Sequence, residues 1–541
     1  MPRETEPDIS ALAALDRVIT MGISLSNCSL SNNRWVGFLF FVFISVVGFA
    51  RAFIGLTGTR LYSHDAFALL DPAWRVLNGQ VSHVDFFDNL GPVAYFPTAV
   101  GLLIAGGKAN GFAIGQSLCS VGFGYWTYLL SRNRLFDFGR VVLSAVVVLT
   151  AAAPFALGDS SIQISPAMTY NRYGYAFIAL ILLEALVKPK SPRSMYEFVG
   201  GFSTGSALVL LIFMKITFFF GAAFLVLALI TCRTQVKVRW TGLLSGVITA
   251  LLLFSIYFRF DFQPMWHDLT ILAGAKHIKR SDYAVESILG SAGLLLVFTI
   301  SVALLCYGRK KLDVARIVLI SGGAACVAGL LLIFTNFERI GFPLQAIVPI
   351  FLVDASNQTG RPESRIEKSF HLCILVWSSA LILTLLIPSA ISLSYGVAHK
   401  VIMGDQYQPL QSPRLAGFVA VREDESYQIF VNDGIALLKR YIKPKDSVMS
   451  LDFSNPFSFG LGLSPARGGA IALQYGTTFN EFHKPEPEWL FGYATLVMVP
   501  KKFLDFGNEN ILRLYGPYLN LHFQLIAESA QWRLYRNRLH K

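Results

Sequence analysis

Charge is what this chain has least of. Asp, Glu, Lys and Arg make up 15% of its 541 residues against 54% hydrophobic, and the mean hydropathy is +0.52, which excludes an ordinary water-soluble protein. Cysteine is also sparse. Cys28, Cys119, Cys232, Cys306, Cys326 and Cys373 are scattered, most of them in or beside apolar runs, so their spacing spells neither a metal cluster nor a disulfide framework. They read as small core residues. There is no internal repeat and no low-complexity tract. Gly460, Gly462, Gly468 and Gly469 lack the strand, Gly-rich turn and helix of a dinucleotide fingerprint, which excludes a nucleotide site there. Near the start, the apolar stretch is broken by Asp16 and Arg17 and no small-residue cleavage site follows. The expectation is an uncleaved cytoplasmic segment, residues 1–34, holding at most an interfacial helix.

What the chain has in abundance is apolar runs. They begin with Trp35 to Leu56, and the loops between them can be sided by positive charge. If Val93 to Gly107 does not cross, the later spans fall near Phe112 to Leu130, then 141–157, 173–187, 198–214, 216–232, 240–258, 288–306, 315–334, 342–353 and 370–391, about eleven in all. Every second loop then carries a basic cluster, with Arg132, Arg134 and Arg140 in one and Arg309, Lys310, Lys311 and Arg316 in another. All five clusters share the side of Arg3, Arg17 and Arg34. Counting the fifteen-residue stretch Val93 to Gly107 as a span would reverse that, so it is expected to be re-entrant or to lie on the surface. The sixteen cations in these loops exceed the net charge of +12, so topology accounts for the basic balance and no nucleic acid is implied.

The trans side therefore holds the first loop, residues 57–111, and everything after Ile391. In the loop, Asp65 precedes Phe67, Leu69, Leu70, Trp74 and Leu77, whose spacing predicts an amphipathic helix along a membrane surface, ended by Asn78-Gly79. Asp85-Phe86-Phe87-Asp88 and Gly91-Pro92 follow. Later trans loops carry Asp159, the run Tyr170-Asn171-Arg172-Tyr173, a turn near Lys215, a loop with Lys276, His277, Lys279 and Arg280, and Glu338-Arg339. Cations kept on the unfavoured side suggest anion binding. Residues 392–541 read as a soluble α/β domain on the side away from the cytoplasm, which the resemblance below makes periplasmic: a helix over Asp433 to Tyr441, strands at Val448 to Phe453 and Leu496 to Val499, and a hairpin from Phe523 to Tyr535.

These residues carry a resemblance. Asp65 in a large first trans loop, the Asn78-Gly79 helix end, Val84-Asp85-Phe86-Phe87 with Gly91-Pro92, and a short apolar helix before the second span resemble the GT-C polytopic membrane glycosyltransferases that use polyprenyl-phosphate sugars. In layout the likeness covers roughly the first 390 residues, with 35–391 as the transmembrane domain. It implies a hexosyl- or pentosyltransferase of a bacterial inner membrane, acting on the periplasmic face. The donor would be a polyprenyl-phosphate sugar, the acceptor a cell-envelope glycan, lipid or protein, and the other partners membrane lipids. The family's loop acids carry over to Asp65 and Asp159 as catalytic residues, and its basic residue and proline before a late span to Arg339 and Pro343.

Such a transfer needs a carboxylate to take the acceptor hydroxyl's proton and a cation or helix N-terminus to face the departing phosphate. Asp65 is the expected general base of an inverting transfer. His64, Asp85, Asp88, Arg172, Lys276, His277 and Arg339 are the expected substrate-binding residues. Each has a plainer alternative. Asp65 is placed to cap the helix that follows, Asp85 and Asp88 to accept turn hydrogen bonds, Asp159 to be a solvated acid, Arg339 to pair with Glu338, and Tyr170 to Tyr173 to form an interfacial belt. No cofactor is required. A divalent metal remains open, but His64, His83, His267 and His277 lack close ligand spacing. The rival functions are a lipid or glycan flippase and a non-catalytic scaffold of the same architecture. A flippase is disfavoured by the few charges inside spans, whereas Ala66 beside Asp65 permits a scaffold.

Overall fold

The computed structural model describes residues 34–275 apart from 188, 192 and 231–235, isolated positions between 285 and 350, and 365–539 apart from 404–408, 422–423 and 504–508. The expected spans near 288–353 lie almost wholly outside the described residues.

The apolar runs become helices where expected. Helix α1 (Arg34–Ile54) leads through β1 (Leu56–Thr59) and a 3-10 turn (Ser63–Ala66) into α2 (Phe67–Leu77). After α3 (Pro92–Ile104) come α4 (Gly111–Ser131), α5 (Asp137–Ala152), α6 (Thr169–Leu186), α7 (Ser194–Ile212), α8 (Ile216–Ile230), α9 (Lys237–Tyr257) and α10 (Gln263–Ala275). Among the described residues Trp35–Ile54, Ser194–Ile212, Lys237–Tyr257 and Leu375–Met403 are long and apolar enough to cross a membrane. Helix α3 is not. Its 13 residues rise only about 20 Å, against a hydrocarbon core of about 30 Å. Pro92 at its first position favours its start, and Gly106 and Gly107, both at positive φ, return N–H bonds to Leu103 and Leu102 to end it. Along α3, a Cβ on Gly101 would lie 1.9 Å from the Gly111 carbonyl oxygen, so only glycine lets α3 and α4 approach this closely.

One expectation fails in α2. Phe67, Leu70, Asp71 and Ala73 are wholly buried and Arg75 nearly so, so the helix does not lie along a membrane surface. Its polar face is covered by protein. Arg75 donates to Asp71 Oδ2 at 2.7 Å and to the carbonyls of Ala466 and Gly468 at 2.8 and 3.0 Å, with its guanidinium 5.2 Å from the Phe86 ring. Burial pushes the Asp71 carboxyl up, and the Arg75 charge opposes that shift. An amphipathic stripe reports one apolar face, and here the C-terminal unit supplies bonds for the other.

The last span also runs on beyond Ile391. Helix α11 (Arg365–Met403) passes Pro388 and continues beyond Ile391, since the fall in hydropathy there ends the apolar run without a second proline to end the helix. Beyond it stand β2 (Phe418–Ala420), α12 (Glu425–Tyr441), β3 (Val448–Ser450), β4 (Leu496–Pro500), β5 (Phe523–Glu528) and β6 (Trp532–Asn537). The sheet order is β3-β4-β6-β5, parallel between β3 and β4 and antiparallel elsewhere, with β5 and β6 forming the expected hairpin. Strand β2 does not join that sheet. It pairs in parallel with β1, zipping the C-terminal unit to the first loop, and Phe87 bridges to Ala470.

On the side of the basic loops, Glu184 of α6 is wholly buried. Arg239 meets its Oε2 at 2.7 Å, Arg134 its Oε1 at 3.7 Å, and Thr204 donates to Oε2 at 3.0 Å. Two of the loop cations, Arg134 and Arg239, are therefore part of a buried staple that joins α6, α7, α9 and the turn between α4 and α5.

Candidate functional site

The 3-10 turn after β1 is shaped from both ends. Tyr62 precedes it in the left-handed region at φ 57, and the Ser63 N–H donates to Asp424 Oδ2 at 2.6 Å. The Ser454 hydroxyl donates to the His64 carbonyl at 3.1 Å, while the His64 ring lies edge-on to Phe453 at 4.7 Å between centroids. The turn thus presents His64 and Asp65 side by side, Nε2 to Oδ1 3.4 Å, with side chains 19% and 21% exposed. The N-cap of α2 is Ala66, which has no side-chain cap, and Asp65 stands one residue before it in the 3-10 turn.

Asp65 and His64 line a cavity of about 630 Å³. Tyr62, Asn89 and Leu90 add further first-loop surface, and Met168 and Tyr170 come from the start of α6. Lys215 and Phe220 enter from the α7–α8 turn and α8, Trp266 and Thr270 from α10, and Phe453, Gln474, Thr477 and Thr478 from the C-terminal unit. Lys215 is the one permanent cation among the described lining residues. It is half-buried, with Nζ 4.8 Å from the Tyr170 ring centre and 3.4 Å from Asn171 Oδ1. Phe220 is 59% exposed, so an apolar helix face adjoins this wall of the cavity.

The other expected site residues fall elsewhere. Asp88 is wholly buried and takes bonds from Ser82 Oγ at 2.5 Å, Tyr95 OH at 2.8 Å and the Leu90 N–H at 2.8 Å. Asp85 accepts from the Val81 N–H at 2.8 Å and meets Arg467 at 3.3 Å. Both fit the turn-acceptor alternative. Neither lines the cavity. Asp159 is half-buried in the loop before α6, away from the lining. Arg172 is nearly buried, donating to the Thr150 carbonyl at 2.8 Å and to that of Phe155, and so anchors α6 to α5. Lys276, His277 and Arg339 lie outside the described residues. Among the described residues no group of three or more His, Cys, Asp and Glu could hold a metal ion.

Behind the first loop, His83 Nδ1 lies 2.8 Å from Asp268 Oδ2, and the Asp88 N–H donates to the same oxygen at 3.0 Å. Burial pushes the Asp268 carboxyl up. The trio ties α10, and with it Trp266, to the first loop.

Sequence reasoning passed over Lys215 as part of a turn. A lone cation in a short trans turn between two apolar runs was a usable signal, because it opposes the insertion bias. Gln474 and Thr477 gave none, since nothing local connects residues of the C-terminal unit to Asp65.

The chain is a multi-pass membrane protein with the GT-C fold. That fold is seen in the crystal structure of ArnT from Cupriavidus metallidurans bound to undecaprenyl phosphate, with a TM-score of 0.50 and 11% identity over 94% of this chain and 99% of that one. The same protein in the apo state gives 0.44 at 13% identity, covering 93% and 98%. The arabinofuranosyltransferase AftD from Mycobacteria gives 0.41 at 10%, covering 94% of this chain and 40% of AftD. Neither a family model nor a curated protein matches the sequence.

Proposed function

We propose that this protein is an integral membrane glycosyltransferase that moves a sugar from a polyprenyl-phosphate donor to a cell-envelope acceptor. The observation that carries the reading is the cavity, where the partly exposed carboxylate of Asp65 and the ammonium of Lys215 line one space beside an apolar helix face. A relative in fold that binds undecaprenyl phosphate supports the choice of lipid.

In this reading Asp65 takes the proton of the acceptor hydroxyl as its oxygen attacks the anomeric carbon. The bond from that carbon to the phosphate oxygen breaks, and polyprenyl phosphate leaves with the electron pair. Lys215 faces the charge that gathers on the phosphate, and Phe220 borders the path of the polyprenyl chain. One displacement suffices, so the anomeric configuration inverts. The site works on the periplasmic face of a bacterial inner membrane, where residues 409–539 cover the first loop. Arg339 and the Lys276–His277 pair remain candidates for further phosphate contacts.

Binding of undecaprenyl phosphate to the purified chain in nanodiscs, followed by native mass spectrometry, tests the donor. Replacing Lys215 by Met should weaken binding roughly tenfold, the scale of one charge-assisted contact. Equal binding by both proteins would remove Lys215 from the phosphate, and no binding by either would refute the lipid donor.

A further inference from the structure

Beside Asp65 the cavity lining holds an imidazole whose place is set from outside the turn. The His64 ring stands edge-on to three aromatic rings: Phe453 at 4.7 Å between centroids, Tyr427 of α12 at 6.0 Å and Tyr62 at 6.2 Å, with interplanar angles of 79°, 73° and 85°. Two of the three belong to the C-terminal unit. The backbone is held as well, since the Asp65 N–H donates to the Tyr62 carbonyl at 3.0 Å and Ser454 Oγ to the His64 carbonyl at 3.1 Å. Edge-to-face packing fixes the plane of a ring, so which nitrogen turns toward the acid is a consequence of the fold. That nitrogen is Nε2, 3.4 Å from Asp65 Oδ1.

An ionised carboxylate only accepts hydrogen bonds, and a neutral imidazole carries its single N–H on one nitrogen or the other. Two lone pairs facing each other would repel, so the proton belongs on Nε2, and an approach of about 0.3–0.5 Å completes an N–H···O bond. A general base must hold its geometry and stay basic. A fixed cation at this place would favour the ionised carboxylate and lower its proton affinity, whereas a neutral N–H orients the group at a smaller cost in basicity. We propose that His64 is the positioning residue of Asp65: its neutral ring, protonated on Nε2, holds Oδ1 and so aims Oδ2 at the acceptor hydroxyl, whose proton Oδ2 takes. The inference rests on the transferase reading, and it gives His64 a role other than the substrate contact expected from the sequence. The C-terminal unit then acts on the acid through Phe453 and Tyr427, which set the ring.

Nitrogen NMR and kinetics on the full chain in nanodiscs test it. With the histidine rings isotopically labelled and the pH held at about 8, above the range in which imidazoles ordinarily carry charge, the signal that His64→Gln removes belongs to His64. Its Nε2 should be the protonated nitrogen and should shift when Asp65 is replaced by Ala. A proton on Nδ1, or a ring indifferent to Asp65→Ala, overturns the inference. The kinetic arm follows turnover of radiolabelled undecaprenyl-phosphate glucose, galactose, mannose and arabinofuranose in turn, with water standing in for the acceptor hydroxyl. His64→Phe, which keeps an aromatic ring against Phe453, should lower kcat roughly tenfold, the worth of one hydrogen bond to a charged group, with the donor KM within about twofold and melting unchanged. His64→Gln, whose terminal amide donates a neutral N–H from the same place on the side chain, should recover most of that loss. A raised KM with kcat intact would make His64 a substrate contact, and equal loss in the Phe and Gln variants would make it packing; either overturns the positioning role and leaves the transferase reading standing. A wild type that turns over none of these donors overturns the transferase reading, and the positioning role with it.

Discussion

Substituting Asp65 by Asn separates chemistry from architecture, because the structure makes the two consequences differ greatly in size. The side chain is 21% exposed and lies 3.4 Å from the His64 imidazole, and Asn keeps its shape, so losing the charge of this partly exposed pair should cost folding about 0.2–1 kcal/mol. The N-cap position of α2 is Ala66, and Asn at 65 retains a side-chain oxygen for any backbone N–H. For a chain of this size that is a melting shift below about 2 °C. Removing a general base costs roughly 10² to 10⁴ in rate, or about 3 to 5 kcal/mol of barrier. The assay is turnover of a radiolabelled undecaprenyl-phosphate sugar by purified protein in nanodiscs, with melting of the same samples as control. The expected variant melts like the wild type, binds undecaprenyl phosphate normally and turns over at most about a hundredth as fast. A thermally normal variant with wild-type turnover would refute Asp65 as the base, and the search would pass to Asp159. A variant that unfolds would refute the structural account of the turn.

Lys215→Arg should keep most of the lipid-phosphate affinity that Lys215→Met loses, since both retain a cation near Tyr170, and equal loss in the two would point to packing instead. Topology is open to labelling with an impermeant maleimide after the natural cysteines are removed: Ser194→Cys should react only from the cytoplasmic side and Phe482→Cys, at a site 83% exposed, only from the other. Reaction of both from one side would sink the proposed arrangement. Gly101→Ala should destabilise the protein by at least about 1–3 kcal/mol, because its methyl carbon would sit 1.9 Å from a backbone oxygen, and an unchanged melting temperature would contradict the close contact of α3 and α4. Asp268 binds its proton more tightly in the folded protein, so its contribution is fully present below the unfolded carboxyl value near 3.9 and fades as pH rises above it. Asp268→Asn keeps the single oxygen that accepts from both His83 and the Asp88 N–H, so it should flatten that part of the stability–pH curve without lowering stability at pH 7. A steeper curve would refute the assignment.

The sequence by itself determined the elements whose cause is local. Helices α1 and α4 to α9 begin and end within a few residues of the expected spans wherever the chain is described, because a run of apolar side chains selects a helix whatever lies beside it. The same holds for the terminal hairpin and for the shortness of α3. Asp65, singled out through the resemblance and its place in a polar loop, lies in the lining of the cavity. What required the tertiary structure was everything set by partners distant in sequence. The Ser63 to Asp424 bond spans 361 residues, and the Arg75 bond to the Ala466 carbonyl spans 391. Such pairings turned a surface helix into a buried one and fixed the orientation of the acid turn. They also brought a lysine from one turn and Gln474 and Thr477 from the far end of the chain into the cavity of Asp65. Hydropathy and helix propensity are properties of a short window. Which polar face meets which is decided only when the chain closes on itself, because a buried polar group must find its partner wherever the fold supplies one.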